Sequence, residues 1–192
     1  MSDAFELTDE QFNELMRICK LYRKQAKKCL EAKSYLASCV MEGAALEGAL
    51  MAMCDCFFDE IPAEKITRLK DGHPKPILKW TLYQLVEVAR ECSWLPARLG
   101  LNDEWDYRKA HIGDWAVVVR QTRNLVHAGC YLTDFAGSKV GKRFAETCYE
   151  VLDVAVDHLE AKIYASIRAE LKKDENKAVD SAGRDERVRR KT

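Results

Sequence analysis

Apolar residues recur at three- and four-residue intervals along much of the chain, which is the pattern of helices that bury one face. In the first such segment the preceding residues Thr8-Asp9-Glu10-Gln11 have the form of a capping box. We therefore predict a first helix that starts at Thr8. Its apolar stripe is Phe12, Leu15, Cys19 and Tyr22. Its basic residues are Lys20, Arg23, Lys24, Lys27 and Lys28. The simpler interpretation is that they form a solvated face of the helix.

The segment from Tyr35 to Phe58 is almost entirely apolar, and we expect it to follow a turn near residues 32–34. Such a length is compatible with a membrane-spanning helix. However, Glu42 and Glu47 lie near its middle, and carboxylates are costly inside a bilayer. We therefore predict a central helix that is contacted on most sides by other helices.

Three further helices are predicted. Residues 60–76 are expected to form a loop because Pro and Gly punctuate them, and helical periodicity returns from Ile77 to Trp94. Residues 111–127 contain three consecutive valines that favour a strand, but their wider spacing favours a helix. The last helix is expected to run from about Ser138 to Lys172.

The segment from Lys172 to Thr192 contains eight Lys or Arg residues, five Asp or Glu residues and almost no apolar residue. Such a composition buries too little surface to offset the entropy of ordering. We therefore divide the chain into a helical domain at residues 1–172 and a disordered, charged tail at residues 173–192.

Composition supports an all-α fold. Only nine Gly and four Pro occur, and no Asn-Gly or Asp-Gly pair separates two alternating apolar runs. The formal net charge is zero, so any contact with RNA must be local, because a general nucleic-acid coat is basic. Low net charge also makes self-association less costly.

The eight cysteines lie mostly within apolar helical patterns. The acidic N-terminus has no apolar signal segment, so reduced thiols in a cytoplasmic protein are expected. Cys54 and Cys56 are too close in sequence for the usual zinc-binding pair. We expect no metal and no cofactor.

The segment from Arg120 to His127 carries the candidate chemistry. On a helix, Arg120, Asn124 and His127 stand at positions i, i+4 and i+7 and share one face, with Arg123 at its border. A guanidinium, an amide and an imidazole on one face can bind a phosphate and act on it. The alternative is that Arg123 and His127 only stabilise the helix C-terminus.

This segment resembles the R-x4–6-H motif of the HEPN (higher eukaryotes and prokaryotes nucleotide-binding) superfamily. Six residues separate Arg120 from His127, whereas only three separate Arg123 from His127. Ala44-Ala45-Leu46-Glu47-Gly48-Ala49-Leu50 resembles the helix of small residues with a central Glu that many members contain. The order of the predicted helices is also similar, over about residues 8–172. The resemblance implies a bundle of about five helices.

The resemblance also implies a metal-independent endoribonuclease of toxin–antitoxin or antiviral-defence type, whose site lies in the cleft of a homodimer. His127 would be the general base or acid and Arg120 would stabilise charge on the phosphate, with Asn124, Arg123 and Glu47 in support. The implied partners are single-stranded RNA, a second copy of the chain and an antitoxin protein, without a membrane. The alternative function is a non-catalytic helical module that binds a partner protein or a nucleotide.

Overall fold

The computed structural model describes residues 5–95 and 140–189 of the 192-residue chain. Within those ranges the secondary structure is mostly α-helical and contains no strand, so the predicted all-α class is confirmed. The helices are α1 (Asp9–Glu31), α2 (Tyr35–Cys56), α3 (Leu82–Glu91) and α4 (Lys142–Arg189), with short 3-10 helices at Phe58–Glu60 and Ile77–Lys79. The predicted helix at residues 111–127, and with it the predicted number of helices, lies outside the described residues.

The capping box of α1 is formed as predicted. The Gln11 backbone N–H donates to Thr8 Oγ1 at 3.2 Å, and the Thr8 N–H donates to Gln11 Oε1 at 3.0 Å. These bonds satisfy backbone groups that would otherwise have no partner at the start of the helix. The segment before the cap is held by α2, since the Leu7 N–H donates to Asp55 Oδ1 at 2.8 Å.

Helices α1 and α2 form an antiparallel pair. The chain turns at Ala32, and Lys33 takes a φ of 60°. Near the turn, Ser38 Oγ on α2 donates to the Ala26 carbonyl of α1 at 2.9 Å. Further from the turn, Gly48 lies so close to Cys19 that a Cβ at Gly48 would stand 2.4 Å from the sulfur. The absent side chain therefore lets the two backbones approach.

Helix α2 is the centre of the bundle, as the apolar run predicted. It packs against α1, α3 and α4, and its buried side chains include Leu46, Leu50 and Met53. By length and composition alone α2 could cross a membrane, with a mean hydropathy of 1.3, but 61% of that stretch is buried inside the bundle. The core helix of a soluble protein passes the same test.

The predicted helix from Ile77 to Trp94 is wrong at both ends. Ile77–Lys79 is a 3-10 helix, and α3 starts only after Thr81, whose side chain forms a second capping box with Gln84. This cap satisfies the first backbone donors of the helix, so the helix starts there rather than at Ile77. Helix α3 ends at Glu91, and the following Trp94 is fully buried, with its Nε1 donating to Glu60 Oε2 at 2.9 Å.

The loop at residues 60–76 contains a hairpin-like turn with one isolated antiparallel bridge, between Arg68 and Pro74, which was not predicted from the sequence. The Leu69 N–H donates to the His73 carbonyl and the Lys75 N–H to the Thr67 carbonyl, both at 2.8 Å. The Gly72 N–H closes the turn onto the Leu69 carbonyl at 3.0 Å, and Gly72 has a φ of 88°. A turn followed by a glycine in the left-handed region is a common three-residue hairpin loop.

The last helix is longer than predicted. It begins at Lys142, and its backbone continues to Arg189, so the predicted end at Lys172 is wrong. The division into a helical domain at residues 1–172 and a disordered tail at residues 173–192 stays a prediction. Lys, Arg, Glu and Ala are strong helix formers, so a segment with too few apolar residues for a core still favours helical backbone. Within residues 142–172, the buried side chains of the helix include Cys148, Val151, Ala155, Leu159 and Ile163.

Candidate functional site

Four of the five predicted site residues, Arg120, Arg123, Asn124 and His127, lie outside the described residues. The structure therefore neither brings these four side chains together nor separates them. The fifth, Glu47, is half-buried on α2 and has interaction partners. Its predicted supporting role stays a prediction.

The glutamate that the bundle buries completely is Glu42, one and a half turns before Glu47 on α2. Glu42 is 0% exposed, and neither carboxylate oxygen has a hydrogen-bond partner among the described residues. Burial, and secondly the charge of Asp153, raises the pKa of Glu42 from 4.5 to about 8. Removing a carboxyl from water favours its neutral form, so Glu42 is mostly protonated at neutral pH.

Arg23 joins α1 to α4 beside Glu42. Its Nη2 lies 2.5 Å from Asp153 Oδ1 and 2.8 Å from Asp157 Oδ1, and its Nη1 lies 3.8 Å from Glu160 Oε2. Only 19% of the Arg23 side chain is exposed. Burial opposes its charged form, but the hydrogen bond and charge of Asp153, followed by those of Asp157, raise the pKa of Arg23 overall.

The expectation that Arg23 belongs to a solvated basic face is therefore wrong. An antiparallel α4 lies along this side of α1, and the guanidinium is the group that bridges the two helices. Lys20, one turn earlier, also faces α4, where its Nζ lies 3.3 Å from Tyr164 Oη. The other basic residues of α1 behave as expected, since Lys24, Lys27 and Lys28 are exposed.

We call Glu42, Asp153, Asp157 and Glu160 the carboxylate cluster. Burial is the main cause that raises the pKa of Glu160, while Arg23 and Lys20 act against it. One oxygen of Glu160, Oε1, is buried without a hydrogen-bond partner among the described residues. Arg23 is the central cation of this cluster and pairs with Asp153, Asp157 and Glu160.

Two buried thiols lie beside the cluster. A hydrogen bond with Cys39 is the first cause that raises the pKa of Cys148, followed by burial, and both cysteines are buried. Burial likewise raises the pKa of Cys19 to about 12. Protonated, buried thiols are poor nucleophiles, so these cysteines act as small core residues. All described cysteines are free thiols.

A second concentration of positive charge, after that of α1, lies in the hairpin region. We call residues 65–79 the basic hairpin, since they contain five basic residues and one acidic residue, Asp71. Arg68 Nη1 donates to the Gly72 carbonyl at 3.0 Å, which holds this side chain over the turn. The basic residues are Lys65, Arg68, Lys70, Lys75 and Lys79.

From the sequence, Glu47 was the glutamate predicted to support the site, whereas Glu42 was noted only for its charge. Both glutamates have three apolar or small residues on each side, so no local signal in the sequence distinguishes Glu42 from Glu47. The signal for the hairpin was the Asp71-Gly72 pair, which no alternating apolar runs accompany.

Among residues 5–95 and 140–189, no group of three or more His, Cys, Asp or Glu side chains has the arrangement of a metal site. No protein-family model, no curated protein and no solved structure matches this chain. The chain's own residues therefore carry the functional argument.

Proposed function

We propose that this chain is a metal-independent endoribonuclease that cleaves single-stranded RNA by transesterification at the ribose 2′-hydroxyl. The observation that carries the proposal is the spacing of Arg120, Asn124 and His127, which a helix would present on one face. Consistent with the resemblance are the all-α class and the chain order of a long helical pair, a third helix and a long final helix.

In the proposed reaction, His127 takes the proton from the 2′-hydroxyl or gives one to the leaving 5′-oxygen. An imidazole suits both roles because it titrates near neutral pH. Arg120 stabilises the negative charge that grows on the phosphate oxygens, with a fork of donors that a lysine lacks. The products are a 2′,3′-cyclic phosphate end and a free 5′-hydroxyl end.

The proposed setting is a cytoplasmic homodimer in a toxin–antitoxin or antiviral-defence system, with an antitoxin protein as a further partner. A dimer places two motif helices beside one shared cleft. Zero net charge supports self-association, and the free thiols suit a reducing compartment. A growth arrest on expression of the wild-type chain, absent with His127→Ala, is the result that this setting predicts.

The test is incubation of single-stranded RNA with the purified protein in EDTA, with the ends analysed by mass spectrometry. We expect cyclic phosphate ends, and we expect Arg120→Ala and His127→Ala each to reduce the rate by at least about 100-fold. The matched controls are Arg17→Ala, an exposed arginine on α1, and His158→Ala on α4. Arg123→Ala distinguishes the two candidate arginines. Equal activity of wild type, Arg120→Ala and His127→Ala would refute these roles.

The second candidate is a non-catalytic helical module that binds a partner protein or a nucleotide. The zero net charge favours it, because nucleases usually present an excess of basic surface to their substrate. It predicts no RNA turnover in EDTA, with the Arg120 and His127 variants changing binding alone.

A further inference from the structure

The basic hairpin carries four more positive than negative residues, on a chain whose formal net charge is zero. Its residues are spread along both arms and the tip: Arg68 lies on the first arm, Lys70 in the turn and Lys75 on the second arm. Several separate cations on one short segment fit a chain of repeated anions better than a single small anion.

The hairpin is held firmly in place. The antiparallel pairing of Arg68 with Pro74 and the turn at Gly72 fix its shape. At its base, Trp80 Nε1 donates to the Lys75 carbonyl at 2.8 Å, and both Trp80 and Ile77 are buried in the core. The charges are therefore presented on a preorganised element, so binding has little backbone entropy to overcome.

As far as the described residues show, three lysines of the hairpin are available for a ligand. Lys70 and Lys79 are exposed and Lys75 is half-buried, and none of the three forms an ion pair within the described part of the chain. By contrast, Lys65 lies 3.4 Å from Glu91, and Arg68 is engaged with its own turn. Lys70, Lys75 and Lys79 are thus the residues that a partner would neutralise.

We propose that the basic hairpin is a contact surface for the phosphates of single-stranded RNA. The choice of RNA among polyanions rests on the proposed function, whereas the surface itself rests on the described residues. Base identity plays no part in such contacts, because phosphate contacts position a nucleic acid without reading its sequence. A lipid surface fits less well: an interfacial anchor needs a continuous apolar face, and the basic hairpin exposes two large apolar side chains that stand nine residues apart in the chain, Leu69 at 43% and Leu78 at 47%.

The test measures binding without cleavage. A fluorescent single-stranded RNA with 2′-O-methyl groups has no free 2′-hydroxyl, so its anisotropy reports affinity alone at a series of salt concentrations. The triple variant Lys70→Ala/Lys75→Ala/Lys79→Ala should bind at least about tenfold more weakly at low salt. Its dependence of log affinity on log salt should be shallower by about 2, at about 0.7 per lost phosphate contact.

The matched control is Lys24→Ala/Lys27→Ala/Lys28→Ala, which removes the same charge from the exposed surface of α1. We expect it to retain wild-type affinity and salt dependence. An equal loss in both triple variants, an unchanged hairpin variant, or no RNA binding by the wild type would overturn the proposal. Preferential binding to vesicles of anionic phospholipid would overturn it as well.

The same measurements separate this inference from the proposed function. If RNA binding depends on the hairpin but unmodified RNA is not cleaved, the contact surface is supported and the nuclease proposal is refuted. If cleavage depends on His127 but the hairpin variant binds RNA normally, the nuclease proposal is supported and the contact surface is refuted.

Discussion

Glu42→Gln is the substitution that best tests the buried polar centre, because it removes an ionisable group while keeping its size. Glu42 is fully buried on α2, and its pKa is raised to about 8 in the folded protein, first by burial and then by Asp153. The unfolded chain has no such environment, so its Glu42 titrates near the ordinary value of 4.5. Between these two values, the folded state holds a proton that the unfolded state releases.

The sign of the pH effect follows from this difference. Stability that depends on the protonated Glu42 is fully present below about pH 4.5 and is lost as the pH rises through about 8. Each tenfold difference in proton affinity is worth about 1.4 kcal/mol, so the full effect has a ceiling of about 5 kcal/mol. Roughly 3 kcal/mol of that loss falls between pH 5 and pH 8.

The glutamine variant lacks this loss. We therefore expect the free energy of unfolding of Glu42→Gln, relative to wild type, to rise by about 3 kcal/mol from pH 5 to pH 8. The groups that interact electrostatically with Glu42 include Arg23 on α1, Cys39 on α2, and Cys148 and Asp153 on α4. They are present in both proteins, so their own contributions largely cancel in the comparison.

The assay is urea unfolding of both proteins followed by tryptophan fluorescence at several pH values between 5 and 8. The control is Glu31→Gln, which changes an exposed glutamate at the end of α1, and it should follow the wild-type pH profile. A difference between wild type and Glu42→Gln that stays constant across this range would refute the reasoning, since it would show that Glu42 is already ionised in the folded protein.

Two further predictions concern the contacts of α1. Gly48→Ala should destabilise the protein by about 1–3 kcal/mol, although alanine normally favours a helix, because the new Cβ would meet Cys19 Sγ at 2.4 Å. In urea unfolding, adding Cys19→Ala to this variant should restore part of the lost stability. Additive effects of the two substitutions would contradict the contact. Arg23→Met should cost on the order of 2 kcal/mol at neutral pH, because Asp153 and Asp157 lose their cation. An unchanged free energy of unfolding in urea would contradict this role of Arg23.

Local signals in the sequence were sufficient where neighbouring residues decide the structure. The Thr8–Gln11 cap and the turn near Ala32 were predicted because each depends on a few adjacent residues. The capping box of Thr81 and Gln84 is the same kind of signal, but it was overlooked because the helix was predicted from apolar periodicity alone. A local signal was also overlooked at Asp71-Gly72, because the hairpin that this pair closes is short and polar.

For the candidate functional residues, the sequence and the structure each provide a different part. The spacing of Arg120 and His127 is a property of the sequence, and the roles derived from it stay predictions. The central place of Glu42 and Arg23 was not predicted from the sequence, because it depends on contacts between residues more than a hundred positions apart, such as Arg23 with Asp153. No periodicity in α1 reveals which of its charged residues will face α4.

The sequence by itself determined that this chain is helical, that α2 is its core, and where α1 begins, since propensity, apolar spacing and capping act over one or two turns. Only the tertiary structure decided which charges are buried. Whether a glutamate or an arginine is solvated depends on which helix packs over it, and that helix can be far away in the sequence. Here α4 packs beside α1 and α2, so Glu42 is removed from water and Arg23 bridges two helices.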